Sequence, residues 1–195
     1  MMNKEKYYVA FFDAEFTAKT AKDRGIPEMI QCAFLIYEVC SQDNKYILSE
    51  DAIATYTTFV KPVYTKKLSE YIKELTGIAQ KTVDEGKAFK ETINDMHKLI
   101  KEYDVQSIIT WGPDHGMLKK NFWFLGYDRK KAKEILNLFD DISLRMSKRY
   151  GYETPISQSN MCQILNVDEY GEHHNAYDDT VNLVKIIKEI CDNES

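Results

Sequence analysis

The chain has 195 residues, enough for one domain with a real core, and its 44% apolar, 29% charged and 12% aromatic content excludes a disordered, collagen-like or coiled-coil polymer. A formal charge of -5, from 26 basic and 31 acidic residues, argues against a dedicated double-helix binder, because neutralising phosphates takes a surplus of Lys and Arg. The longest early apolar run, Tyr7 to Phe12, is too short to span a bilayer and no cleavage site follows it, while Cys32, Cys40, Cys162 and Cys191 lack metal-ligand spacing.

Reduced thiols in the cytoplasm and no membrane partner are therefore expected. No repeat or Pro/Gly/Ser linker divides the sequence, so 1–195 reads as a single domain. Tyr7 to Asp13, Met29 to Val39 and Tyr56 to Lys61 read as three strands of an antiparallel meander, the last stopped by Pro62. Phe89, Ile93, Met96 and Ile100 then recur with helical spacing. A fourth strand at Ser107 to Trp111, a helix from Gly116 to Leu125 and a fifth strand at Ile135 to Phe139 follow. Helices over Ile142 to Tyr150, Ser157 to Leu165 and Asp178 to Cys191 complete the chain. Three strands followed by alternating helix and strand predict an α/β fold, a mixed five-stranded sheet with its first three strands antiparallel and helices on its faces.

The chemistry lies in carboxylates at places that ought to be apolar. Alternation along the first strand puts Phe11, Asp13 and Glu15 on one face and Phe12, Ala14 and Phe16 on the other. Two carboxylates projecting together repel unless a cation sits between them, and a divalent metal is the natural occupant. Capping of the strand exit by Asp13, with Glu15 in water, is the plainer alternative. In the closing helix Asp178 aligns with Asn182, Lys185 and Glu189 on a polar stripe expected to face solvent, whereas Asp179 aligns with Leu183, Ile186 and Ile190. A charged carboxylate on that apolar stripe needs a cationic partner that the local sequence does not supply. Helix initiation by Asp179 is the simpler reading.

His174 lies five residues before Asp179, and imidazole is suited to removing a proton at neutral pH. His173 and Asp178 have the same spacing, but the stripe favours the later pair. Asp114 follows the fourth strand and opens the next helix, the end of a strand at which α/β sheets place their sites, although helix initiation alone would also explain it. His97 and His115 read as surface residues on local grounds.

Taken together, these residues resemble the DEDDh 3′-to-5′ exonucleases, a DnaQ-like branch with a ribonuclease H-like fold. The D-x-E motif is similar to Phe12-Asp13-Ala14-Glu15-Phe16-Thr17, the second motif to Asp114 with Leu118, and the H-x-A-x-x-D motif to His174, Ala176 and Asp179. The alanine sets the register in favour of His174. Glu28-Met29-Ile30-Gln31, Lys61-Pro62, Leu68-Ser69, Leu75-Thr76-Gly77-Ile78 and Thr110-Trp111-Gly112 look like the KapD-like and histone-mRNA exonuclease branch. One departure is that only Pro113 separates Trp111-Gly112 from Asp114, where the branch has two residues.

The resemblance implies a single exonuclease domain in which Asp13, Glu15, Asp114 and Asp179 hold two Mg²⁺ or Mn²⁺ ions and His174 is the general base. Oxygen ligands without a Cys/His cluster favour those ions over Zn²⁺. The implied reaction hydrolyses single-stranded RNA or RNA 3′ overhangs to nucleoside 5′-monophosphates by a two-metal route. Single-stranded nucleic acid 3′ ends are the implied partner, with RNA favoured over DNA. Phe16 is a candidate wedge against the terminal base, with core packing as its alternative; Thr17 is a candidate sugar or phosphate contact and His115 a candidate cleft residue. The alternatives are a DNA exonuclease of the same family and a silent binding module on the same fold.

Charge is unevenly distributed. Residues 119–149 hold nine basic and four acidic side chains, whereas 166–195 hold eight acids and two lysines. The basic stretch is expected either to be solvated helix or to track a short strand's phosphates.

Overall fold

The computed structural model describes residues 5–17, 26–42 and 45–193. In chain order they form β1 (Glu5–Phe16), β2 (Met29–Gln42), β3 (Lys45–Leu48), β4 (Ala54–Lys61), α1 (Glu70–Thr76), α2 (Gln80–Asp84), β5 (Lys87–Ala88) and α3 (Phe89–Glu102). Then come β6 (Val105–Thr110), α4 (Asp114–Phe124), α5 (Arg129–Leu136), β7 (Phe139–Asp141), α6 (Ser143–Arg149), α7 (Gln158–Leu165) and α8 (Ala176–Asn193).

The sheet runs β5-β4-β2-β1-β6-β7, with β3 added to β2. β1, β2 and β4 pair antiparallel, whereas β6 joins β1 and β7 joins β6 in parallel. This is the mixed α/β architecture expected from the sequence, with seven strands among the described residues instead of five. β3 escapes a pattern reading because it is short and lies largely in solvent, and β5 has only two residues.

The expected strand at Ile135 to Phe139 is corrected. Ile135 and Leu136 end helix α5, whose Asp128 cap accepts the Lys131 N–H at 2.8 Å, and only Phe139 belongs to a strand. The run Arg129-Lys-Lys-Ala-Lys-Glu-Ile-Leu is made of good helix formers, and Ala132 and Ile135, three apart, are both buried. α1 and α2 also lie where no element was expected, and Ser69 caps α1 by accepting the Ile72 N–H.

Strand alternation divides β1 between two cores. Ala10, Phe12 and Ala14 pack with Ile93 and Met96 of α3, Leu118 and Phe122 of α4 and Ile135 of α5. Val9 and Phe11 face the opposite side and pack with Leu183 and Val184 of α8. α8 therefore lies across the face of β1 from which Asp13 and Glu15 project. Pairing of β6 with β1 ends at Phe11 and Ile109, so the two chains separate just before Asp13. Their divergence opens a mouth at the carboxyl ends of parallel strands, where open α/β sheets hold ligands.

Candidate active site

Asp13, Glu15 and Asp179 each offer a carboxylate oxygen within 4.8 Å of the others'. Two of these side chains come from β1 and one from the first turn of α8, so the packing of that helix on β1 brings them together. Leu183, Ile186 and Ile190 are buried on the stripe that Asp179 shares. Burial of those three seats the helix, and Asp179 at its end is carried to the mouth of the sheet.

Asp114, 9% exposed at the start of α4, lies outside that 4.8 Å group but near enough for its charge to act on Asp13 and Glu15. Its carboxyl is pushed up to about 7, chiefly by burial and also by the charges of Asp141 and Asp179, against the pull of backbone N–H groups. Glu15 is likewise pushed up to about 7, by burial first and then by Asp179 and Asp114. Asp13 is raised well above the usual carboxylate range by burial and by the charges of Asp114, Asp179 and Glu15. Burial also raises Asp179, opposed by the His174 N–H and the nearby imidazoles. Asp13, Glu15 and Asp114 are each raised by neighbouring carboxylates as well as by burial, which marks a site short of positive charge. Their donors are all oxygens, which suits a hard divalent cation.

His174 has a left-handed backbone, φ 61°, an uncommon state for a residue with a Cβ. Its N–H donates to Asp179 Oδ2 at 3.0 Å, which ties the loop to the acid it precedes. The side chains of Asp13, Trp111, Ser157, Gln158, His173, His174 and Asp179 line one cleft of about 440 Å³. Both histidines thus reach the cleft, while His173 Nε2 also lies 3.5 Å from Glu169. Asp178 is turned to the loop, where it accepts the Glu172 N–H at 2.9 Å.

One member of the polar stripe of α8 is not solvated as expected, whereas Asp178, Lys185 and Glu189 are half-exposed. Asn182 is 2% exposed; its amide accepts the Tyr170 N–H at 2.7 Å and donates to the Tyr170 carbonyl at 3.1 Å. Asp178 and Asn182 together strap the 170–174 loop to the helix. Gly171, with φ 65°, closes this strap: a Cβ there would lie 2.2 Å from the Asp178 carboxyl.

Three further residues organise the site without having been singled out for that role. Gln31, paired with Glu15 across β1 and β2, is buried. It accepts the Ala176 N–H at 3.2 Å and donates to Asn175 Oδ1 at 3.4 Å, and Asn175 in turn accepts the Tyr177 N–H at 3.1 Å. Gln31 thereby fixes the start of α8 directly behind His174. Asp141 Oδ1 accepts the Gly112 N–H and the Ser143 N–H, each at 3.0 Å, which sets the turn into Asp114 despite the single residue after Trp111-Gly112. Glu28 accepts N–H groups of Val63, Tyr64 and Thr65 at 2.6, 2.9 and 2.7 Å, holding that loop beside the end of β1.

Phe16 is half-buried and packs on the larger core. Thr17 is buried, and its backbone N–H donates to the Glu28 carbonyl while its Oγ1 accepts the Glu28 N–H, each at 2.8 Å. His115 stands next to Asp114 with its ring centroid 5.8 Å from that of Phe139 and lines a second cavity on α4 and α5. His97 pairs with Glu134 at 3.1 Å on a different face.

Residues 10–187 match the RNase_T family, described as Exonuclease. The probable 3′-5′ exonuclease KapD of Bacillus subtilis is 28% identical over 191 residues, which cover 90% of this chain and 80% of KapD. The nuclease domain of 3′hExo, a DEDDh family member solved with bound rAMP, superposes with a TM-score of 0.75 at 20% identity, covering 95% of this chain and 92% of that one. Pop2p of Schizosaccharomyces pombe, solved in its Mg²⁺- and Mn²⁺-bound form, superposes with a TM-score of 0.61 at 19% identity, covering 94% of this chain and 82% of that one. Of the longer 3′-5′ exoribonuclease 1 proteins of Rattus norvegicus and Mus musculus, which are 24% identical over 92% of this chain, the chain spans 51%.

Proposed function

Since this chain belongs to the RNase_T exonuclease family and is a DEDDh-type 3′-to-5′ exonuclease, we propose that it removes nucleotides from the 3′ ends of single-stranded nucleic acid, with RNA preferred to DNA. The observation that carries this reading is the convergence of the carboxylates of Asp13, Glu15 and Asp179 with Asp114 beside them and His174 in the same cleft. The rAMP bound to 3′hExo and the exoribonuclease names of the longer relatives support RNA. The cofactor is Mg²⁺ or Mn²⁺, in keeping with an oxygen-only donor set and with the ions of Pop2p.

Asp13, Glu15 and Asp179 are the proposed ligands of two ions, and Asp114 completes the set. Bound there, the ions would stabilise the entering and leaving oxygens of an in-line phosphoryl displacement. The chain's own part is positional and protonic. His174 Nδ1 or Nε2 takes the proton of the attacking water as the new P–O bond forms, and the bond from phosphorus to the preceding 3′-oxygen breaks. A nucleoside 5′-monophosphate leaves, and the shortened strand's 3′-oxygen is protonated by solvent. The left-handed turn at His174, tied to Asp179 on one side and to the Gln31–Asn175 network on the other, fixes the imidazole's base relative to the acids. Trp111, whose indole N–H donates to the Ile156 carbonyl at 2.9 Å, forms a wall of the cleft suited to a sugar or base. Burial pushes the thiols of Cys32 and Cys162 up to about 12 and about 11, so both stay protonated in the cytoplasm, the compartment we assign.

The test uses 5′-labelled single-stranded RNA and DNA of matched sequence with Mg²⁺ or Mn²⁺, and Asp13→Ala as control. Stepwise shortening from the 3′ end, faster on RNA and lost in the variant, is expected. Equal rates on both polymers would remove the RNA preference, and no shortening of either would overturn the reading.

A further inference from the structure

A second cavity, of about 570 Å³, lies along α4 and α5 and begins at His115, one residue after Asp114. Its walls include Lys119, Trp123, Arg129 and Lys133, over Phe122 and Tyr127, and no carboxylate is among its lining residues. That volume falls in the range of about 300 to 1,000 Å³ common for ligand sites. Lys119, Arg129 and Lys133 are exposed, and none of the three is in an ion pair among the described residues.

The nearby acids are already engaged elsewhere: Glu134 is held by His97 and Lys101 at 3.1 and 3.2 Å, and Asp128 caps α5. Trp123 is 61% exposed even with the Arg129 guanidinium 4.9 Å above its ring. The indole thus presents a large aromatic face to solvent in the same cavity as the three cations. Phe122 and Tyr127 stack on each other with centroids 5.2 Å apart and form a rigid floor.

We propose that this groove is the track for the segment of single-stranded substrate that lies upstream of the 3′-terminal nucleotide, with Lys119, Arg129 and Lys133 on its phosphates and Trp123 stacking a base. The inference rests on the exonuclease reading and adds a binding surface outside the acidic cleft. Cationic grooves interleaved with aromatic faces are how sequence-tolerant single-strand binders work. From His115 to Trp123 the helix rises ~12 Å, the span of about three stacked nucleotides. The groove also reconciles the acidic net charge with an anionic polymer, since three cations gather along the helix that opens at Asp114.

The experiment compares a 12-nucleotide single-stranded RNA with the p-nitrophenyl ester of thymidine 5′-monophosphate, which fills only the acidic cleft. The variants are the triple Lys119→Ala/Arg129→Ala/Lys133→Ala, Trp123→Ala, and Lys81→Ala on α2 as a charge control. For the triple variant, KM for the RNA should rise at least ~10-fold and the slope of log(kcat/KM) against log salt should flatten by about 2, at roughly 0.7 per phosphate contact. For Trp123→Ala a rise of ~10-fold is expected. Ester hydrolysis should stay within about two-fold for every variant, and Lys81→Ala should behave as the parent on both substrates. Unchanged RNA kinetics in the groove variants, with normal ester turnover, would overturn the proposal. A parent protein that hydrolyses neither substrate would overturn the exonuclease reading, and this inference with it.

Discussion

Replacing Glu15 by glutamine should stabilise the metal-free protein at alkaline pH although it removes a proposed ligand. The Glu15 carboxyl is raised from 4.5 to about 7, by burial first and then by Asp179 and Asp114. A carboxyl whose folded pKa exceeds its unfolded value binds more protons when native. Stability is therefore lost as pH rises from about 4.5 to about 7 and levels off above that window. At ~1.36 kcal/mol per pH unit, ionising Glu15 costs the native state up to about 3 kcal/mol near pH ~8. The buried amide of glutamine still needs hydrogen-bond partners and retains part of that cost, which leaves an expected gain of ~1 to 2 kcal/mol. For a domain of this size that corresponds to roughly 2 to 8 °C in Tm. Urea unfolding in EDTA at about pH 8 and about pH 4.5 measures it: the gain should be present at the higher pH and near zero at the lower. Added Mg²⁺ should stabilise the parent more than the variant, and more at the higher pH, because ions bind the ionised cluster. A variant less stable than the parent in EDTA at about pH 8 would refute the claim that these carboxylates are held against their electrostatic preference.

Other substitutions test the supports of the site. Gln31→Leu leaves the Ala176 N–H without its acceptor and takes one donor from Asn175 Oδ1; kcat is expected to fall by at least ~10-fold while KM for a short RNA stays within about two-fold, read by steady-state kinetics. Asp141→Asn keeps an acceptor for Gly112 but removes a charge that raises Asp114, so the Asp114 pKa should fall and the acid limb of the pH–rate profile should move to lower pH. Gly171→Ala drives a Cβ into the Asp178 carboxyl at a positive φ, and thermal unfolding should show a loss of ~1 to 3 kcal/mol together with a lower kcat.

What the sequence disclosed follows the range of the interactions involved. Strict alternation in β1 was enough to project Asp13 and Glu15 together, and the apolar stripe of α8 was enough to carry Asp179 toward them, because both patterns repeat within one element. The strand ending at Thr110 likewise pointed to Asp114, which opens the following helix. Gln31 reaches the start of α8 across 145 positions of sequence, and no local pattern records such a contact. Asn182 looked solvated because its polar neighbours on the stripe mask a loop, 170–174, that folds over it. The run from Ile135 to Phe139 is apolar and short enough to suit either element; the Asp128 cap and the buried pair Ala132 and Ile135 decide for helix up to Leu136. The basic side chains of 119–149 were evident as a charge imbalance, but only the packing of α4 beside α5 gathers Lys119, Arg129 and Lys133 around Trp123.

Where divalent ions bind is the most direct test of the proposed active site. Anomalous diffraction from crystals soaked in Mn²⁺ with a nucleoside 5′-monophosphate should show two peaks about 4 Å apart among the carboxylates of Asp13, Glu15, Asp114 and Asp179, with the phosphate against them and the His174 imidazole within water-bridging reach. Peaks elsewhere on the chain, or none in this cluster at saturating Mn²⁺, would contradict it.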